Sequence, residues 1–306
     1  MLDLMPPAQK SKKSFYARHK NEIVSYGFLL IPIALWFAFL LVPLCMAISY
    51  SFSNLELSPS LITRYGFFQY AKVLRDTEFW KSIKVSLIWT VAMTIGNNAL
   101  GFLIAFAVSR LKKWRRMFLA LLFWPILVSA VVGALIIRMV FGPYDNSVMN
   151  IVISWFGRES VHWLTTERTA LFSLMALPLI LGFSVKMIIF YAAIVSIPSQ
   201  YFEAAKLDTA KNWRIVWHIV LPLVKNIVVL NILLSIIGEM KVLGPMLLVT
   251  NGIAGTTSVM LYIYQLAFQM PAKGQATAAS FIVFIIIFIL SLIQLKLSGK
   301  AGANHE

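Results

Sequence analysis

Charge is scarce in this chain. Of its 306 residues 13% are charged and 59% are hydrophobic, with a mean hydropathy of +0.80. A soluble domain with that balance has too little polar surface to cover its core, so the composition excludes the soluble classes and points to an integral membrane protein. Cysteine is nearly missing as well: Cys45 stands alone, and no internal disulfide can form. The four histidines, His19, His162, His218 and His305, are scattered without the spacing of a metal site. There is no phosphate-cradling loop. The single Gly-Lys pair, Gly299-Lys300, is followed by Ala301 instead of a hydroxyl residue, and Gln294 stands where the loop's first glycine belongs. No Gly-x-Ser-x-Gly elbow occurs. Glu239 is the only carboxylate within an apolar run, so a proton relay of paired acids is missing too. These absences weigh against catalysis and proton coupling by this chain alone.

Long oily runs are what remains. Residues 26–50, 85–109, 117–137 and 274–295 contain no charged residue. Each reaches the roughly 20 residues that a helix needs to cross the hydrocarbon core. Residues 169–196 are interrupted by Lys186, and 219–240 by Lys225 and Glu239. These make six expected spans, all helical because lipid forces each segment to satisfy its own backbone. The alternating short strands of a membrane barrel are missing. The first run is about 25 residues long and is read as a retained helix, not a cleaved leader.

A net charge of +15 invites thought of nucleic acid, but its distribution argues for topology. With the N-terminus inside, segments 1–23, 110–116, 197–218 and 296–306 hold 15 lysines and arginines, while 51–82, 142–169 and 241–277 hold 8. That bias places both termini in the cytoplasm and attracts anionic headgroups. Residues 1–22 read as a basic lead-in, 23–298 as one membrane domain, and 299–306 as a cytoplasmic tail. Pro32 and Pro43 predict kinks in the first helix, and Trp114 in RLKKWRR is expected at headgroup level.

Between the fourth and fifth spans runs YFEAAKLDTAKNWRIVWHIVLPL, residues 201–223, unusually polar for this chain. Ser199 can cap a helix beginning near Gln200, with Glu203 in its first turn. Ala204 and Ala205 are small enough for another surface to approach closely. A break at Lys206 to Thr209, a second amphipathic piece and a bend at Pro222 complete a short helix–turn–helix at the cytoplasmic face.

Glu203-Ala204-Ala205, then Thr209, then Ile219-x-Leu221-Pro222 resembles the EAA motif of bacterial ATP-binding-cassette importer permeases; Thr209 stands where that family usually has glycine. The opening IPIALWFAFLLVPLCMAISYSF and the segment VTNGIAGTTSVMLYIYQLAFQMPAKGQATAASFIVF, 249–284, are similar to the carbohydrate-uptake branch, which includes maltose and glycerol-phosphate permeases. Gly252-Ile253-Ala254 replaces that branch's Gly-Gly-Pro. The resemblance covers roughly 26–298. It implies an all-α integral membrane chain of six transmembrane helices, in the type I ABC importer permease fold with a cytoplasmic coupling helix. It further implies a second permease subunit as heterodimer partner, two cytoplasmic ATPases, an extracellular solute-binding protein and a sugar substrate. The chain itself would hold no cofactor, since ATP and Mg²⁺ belong to the ATPases. The coupling residues so implied are Glu203, Ala204, Ala205, Asp208, Thr209, Leu221 and Pro222.

The transport path needs polar groups turned from lipid. Lys186 lies about ten residues from the inner end of its span, roughly 15 Å deep. It faces either a cavity or a structural partner such as Glu239. Asn231, Ser235 and Glu239 recur every four residues and share a helix face. They serve either sugar hydroxyls or interhelical bonds, with Glu239 read as a gate or salt-bridge residue. Asn97 and Asn98 are adjacent, so at least one is expected to pack; Asn97 and Tyr191 complete the path candidates. The leading function is the permease subunit of an ATP-driven sugar or oligosaccharide importer. A glycerol-phosphate or polyol solute, a solitary secondary transporter and a membrane-embedded enzyme are the alternatives.

Overall fold

A computed structural model describes residues 15–56, 62–207 and 212–303. It is helical throughout apart from one isolated bridge between Ser53 and Tyr65; no strand occurs among the described residues. Helix α1 (Phe15–Trp36) passes through a π-helical turn at Phe37–Leu41 into α2 (Val42–Ser51). Pro43 cannot donate to the carbonyl four residues back, and that carbonyl lies within the π turn. Pro222 repeats the arrangement: the carbonyl it leaves unpaired belongs to His218, inside a second π turn at Val216–Val220.

The short α3 (Phe68–Arg75) leads into α4 (Thr77–Ser109), whose start is fixed by Asp76 accepting from the Glu78 amide at 2.9 Å. Helix α5 (Arg115–Phe123) continues as a 3₁₀ turn, Trp124–Leu127, before α6 (Ala130–Phe141). Then come α7 (Val148–Ser154), α8 (Glu167–Val195), α9 (Ser199–Leu207), α10 (Asn212–Ile215), α11 (Leu221–Leu223) and α12 (Lys225–Glu239). Helices α13 (Val259–Tyr264) and α14 (Lys273–Ala303) close the chain.

Among the described residues four helices are long and apolar enough to cross a membrane: Tyr26–Ser51, Thr77–Ser109, Glu167–Val195 and Lys273–Lys296. The other two expected spans are not straight. Arg115–Leu127 meets Ala130–Phe141 at 89°, and Trp213–Leu223 meets Lys225–Glu239 at 77°. Six segments result if each bent pair is one span. At the first bend Ser129 is extended and caps α6 through the Val132 amide, so the helix restarts there. At the second, Val224 leaves the helical region behind Pro222. The apolar composition of 117–137 and 219–240 carries no trace of these bends except in Pro125 and Pro222. The stretch 241–277, expected as an outside loop, contains α13 and π turns at Met246–Thr250 and Gln265–Gln269.

The core is built around α4. Its contact with α8 is the most extensive between any two helices and runs over glycines. A Cβ on Gly101 would lie 2.7 Å from the Lys186 Cβ and 2.9 Å from the Met187 amide; one on Gly182 would lie 2.6 Å from the Asn97 Nδ2. Small residues let membrane helices approach this closely, which strengthens dispersion where hydrophobicity offers no drive between helices. Trp89, Met93, Leu174 and Met246 pack in one cluster of the body. Phe102, Phe190, Ile194 and Ile215 fill the part beneath α9.

Candidate functional site

Helix α4 faces the antiparallel α12 through a polar seam. Thr90, Thr94 and Asn98 follow at four-residue spacing on α4, with Asn97 beside them; Asn231 and Ser235 oppose them on α12. All six are buried. Asn98 donates its Nδ2 to the Ser235 hydroxyl at 2.9 Å and to the Thr94 carbonyl at 2.8 Å. Ser235 in turn donates to the Asn231 carbonyl at 2.8 Å. Yet the Thr90 and Thr94 hydroxyls, the Asn97 and Asn98 amide oxygens and both polar atoms of the Asn231 side chain find no protein partner. Buried polar groups are paired in the great majority of cases, so six unpaired atoms in one seam are unusual.

One end of the seam is closed by Glu239, whose Oε2 accepts from the Trp89 indole at 2.9 Å. Glu239 and Asn97 line a cavity of about 290 Å³ together with Met93, Ser129, Gly182 and Pro245. Lys186 stands on α8 against Gly101, half-buried and within electrostatic reach of Glu239, with no acid within 4.0 Å among the described residues. The structure thus brings Asn97, Asn231, Ser235 and Glu239 to one seam, with Lys186 at its flank. Tyr191 lies elsewhere. Its ring carries the Arg115 guanidinium at 5.9 Å and packs among the apolar residues beneath α9. Thr90, Thr94 and Trp89 were missed by sequence reasoning, and Asn98, one of the adjacent pair of which at least one was expected to pack, bonds across to Ser235. The four-residue spacing of Thr90, Thr94 and Asn98 was the available signal.

The polar segment 199–223 folds into short helices over its described residues, with two corrections. Helix α9 begins at Ser199, so Glu203 is its fifth residue and falls outside the first turn, which holds no acid. A favourable interaction with the helix start is therefore withdrawn. Glu203 and Ala204 are exposed, but Ala205 is buried against the chain's own Ile194, Ile215 and Val220. The close approach expected of both alanines is open only at Ala204. Asp208 and Thr209 lie outside the described residues. Leu221 packs into the same cluster, while Pro222 is exposed. Arg110 at the end of α4 lies over the rings of Phe106 and Phe202, at 5.7 and 5.8 Å, and so ties α4 to α9.

At the α13 end of the body, Tyr262 donates to Asp76 at 2.6 Å and accepts from Gln275 at 3.3 Å, joining α13, the α4 cap and α14. Burial, then the Asp76 carboxylate, pushes the Tyr262 hydroxyl pKa well above its ordinary value. Among the described residues no group of histidines, cysteines and acids could hold a metal ion.

The model of the binding-protein-dependent transport system inner membrane component family matches residues 97–301. The arabinooligosaccharides transport system permease protein of Halalkalibacterium halodurans is 28% identical, over 95% of this chain and 92% of that protein. The multiple sugar-binding transport system permease protein of Streptococcus mutans is 30% identical, over 92% of this chain and 97% of that one. Among solved structures, a chain of a bacterial alginate ABC transporter, in complex with an alginate pentasaccharide-bound periplasmic protein, superposes with a TM-score of 0.81. It is 20% identical and matches over 94% of this chain and 98% of its own, a likeness of fold.

Proposed function

This chain belongs to the family of binding-protein-dependent transport system inner membrane components, and on that premise we propose that it forms half of the path of an ATP-driven sugar or oligosaccharide importer. The observation that carries the reading is the seam of partnerless polar atoms between α4 and α12. Its amides and hydroxyls are neutral, short and capable of both donating and accepting. That is the chemistry a hydroxyl-rich solute needs while it sheds water. The names of the relatives, which transport arabinooligosaccharides and multiple sugars, support the same substrate class.

Transport then proceeds by alternating access, in which rigid bodies rock about a fixed mid-membrane site. A second permease subunit supplies the other half of the path, an extracellular solute-binding protein delivers the sugar, and two cytoplasmic ATPases bind ATP and Mg²⁺. Helix α9 is the contact with one ATPase. The exposed Glu203 is the residue that pairs with a cation there, and the buried Ala205 transmits the movement to the cluster at the ends of α8 and α12. Both chain ends lie in the cytoplasm on this reading.

Lys186 favours a second reading of the substrate, an anionic solute such as a glycerol phosphate, because no acid lies within 4.0 Å of it among the described residues. The experiment is ATP-dependent uptake of labelled sugars and glycerol phosphate in proteoliposomes carrying the chain with its co-purified subunits. Ser235→Ala and Asn231→Leu should abolish sugar uptake, and Glu203→Lys should release the ATPase on pull-down. A chain that purifies alone and transports without ATP would instead be a solitary transporter.

A further inference from the structure

The basic turn between α4 and α5 has no part in the reading above. Residues 110–116, RLKKWRR, carry five cations and no acid. Among the described residues the only ion pair is Lys81–Glu78, so Lys112, Arg115 and Arg116 have no carboxylate within 4.0 Å. Arg115 and Arg116 also open α5, where they add to the positive end of the helix instead of offsetting it. Arg110, Lys112, Arg115 and Arg116 line an open cavity of about 1000 Å³ whose opposite wall is Ser199 and Phe202 of α9. Leu111, Trp114 and Met117 line it as well; Trp114 stands on a left-handed backbone, φ 66°, and these three and Leu121 are exposed.

We propose that this cavity holds the phosphate headgroup of an anionic lipid, bridging the basic turn and the start of α9. The cations supply the phosphate contacts, since guanidinium forks match phosphate oxygens. The cavity lies where two spans end, Ser109 of α4 and Val195 of α8, which is headgroup depth. The exposed Trp114, Met117 and Leu121 give glycerol and acyl chain an apolar seat. An acidic protein surface or a soluble phosphate would use the same cations and leave those apolar neighbours in water. A bound lipid would hold α9 against the membrane body; that consequence rests on α9 being the ATPase contact, while the lipid site itself does not.

The test is native mass spectrometry of the full chain with its accompanying subunits, delipidated and titrated with phosphatidylglycerol, phosphatidylcholine or glycerol phosphate. Phosphatidylglycerol should be retained over phosphatidylcholine by roughly tenfold or more, as expected of several cations beside one headgroup. Lys112→Gln with Arg116→Gln should weaken it on the order of 30-fold. The charge-keeping pair Lys112→Arg with Arg116→Lys should retain it, as should Lys72→Gln with Arg75→Gln on the opposite face. Equal retention of both lipids, or retention unchanged in the glutamine pair, overturns the proposal. Displacement by glycerol phosphate overturns it in favour of a soluble phosphate. Loss of a co-purifying protein, with lipid unchanged, overturns it in favour of a protein contact. None of these outcomes depends on Glu203, whose Lys variant tests α9 separately.

Discussion

Asn231→Leu separates a seam built for transport from one built for stability. The Asn231 side chain is 1% exposed, and neither its Nδ2 nor its Oδ1 has a partner. Its backbone carbonyl, which accepts from Ser235, is untouched by the substitution. A buried polar group left unpaired costs about 1–3 kcal/mol. Leucine has the same γ-branched shape and no polar atom, but it is bulkier, and overpacking offsets about 1–3 kcal/mol of the gain. Removing two such groups should still stabilise the chain, by about 1 kcal/mol after that offset. For a protein of this size that is a rise of roughly 2–4 °C in melting temperature. Sugar uptake by the assembled transporter should fall to background. The assay pairs thermal unfolding of the purified chain, followed by tryptophan fluorescence, with uptake in proteoliposomes. A lower melting temperature with uptake retained would refute the reasoning: Asn231 would then be an interhelical strut.

Four further outcomes follow from the structure. Gly101→Ala should destabilise by about 1–3 kcal/mol, because its Cβ would press on the Met187 backbone at 2.9 Å. Gly238→Ala, with nothing within 4 Å, should stabilise by roughly 0.5–1 kcal/mol; paired melting curves decide. Trp89→Phe removes the indole donor from Glu239 and should cost about 1.5–3 kcal/mol. In a double-mutant cycle with Glu239→Leu, which removes the acceptor, a coupling below about 0.5 kcal/mol would deny the contact. Tyr262 has a folded-state pKa raised above its unfolded value near 10, so its contribution is complete below that pH and is lost as pH rises beyond it. Wild type should lose melting temperature above about pH 10 more steeply than Tyr262→Phe, and equal slopes would count against the contact.

The membrane class, the charge-free windows and the polar helix pair at 199–223 were legible because each rests on local composition. Residues 26–50 and 274–295 could hardly be anything but apolar helices. The two bends were not legible, because a bent and a straight span have the same composition; only Pro125 and Pro222 hinted at them. The segment 241–277 read as a loop because Gly244-Pro245 and Asn251-Gly252 are strong turn signals. Tertiary contacts, such as Ser86 accepting from the Val259 amide at 2.8 Å, nevertheless organise α13. In the site, the four-residue rhythm of Asn231, Ser235 and Glu239 announced a shared face. That Asn98 and Trp89 would meet it could not be seen, since they lie 137 and 150 residues away in sequence. Tyr191 misled because an aromatic looks the same whether it faces a path or a neighbouring cation.

The first long helix has a consequence for how this protein's folding is measured. The most apolar window of Tyr26–Ser51 has none of its residues buried by the rest of the chain. Apart from the packing of α2 on α14, it has little tertiary surface to lose, so its helicity is supplied chiefly by the solvent, bilayer or micelle, through internal backbone bonding. It is thermodynamically a passenger. Melting curves of the isolated chain will report the α4, α8 and α12 body and will be blind to most of this helix. Substitutions such as Phe28→Ala or Phe39→Ala should leave those curves unmoved, and any effect they have will surface only in the bilayer or in complexes with other chains.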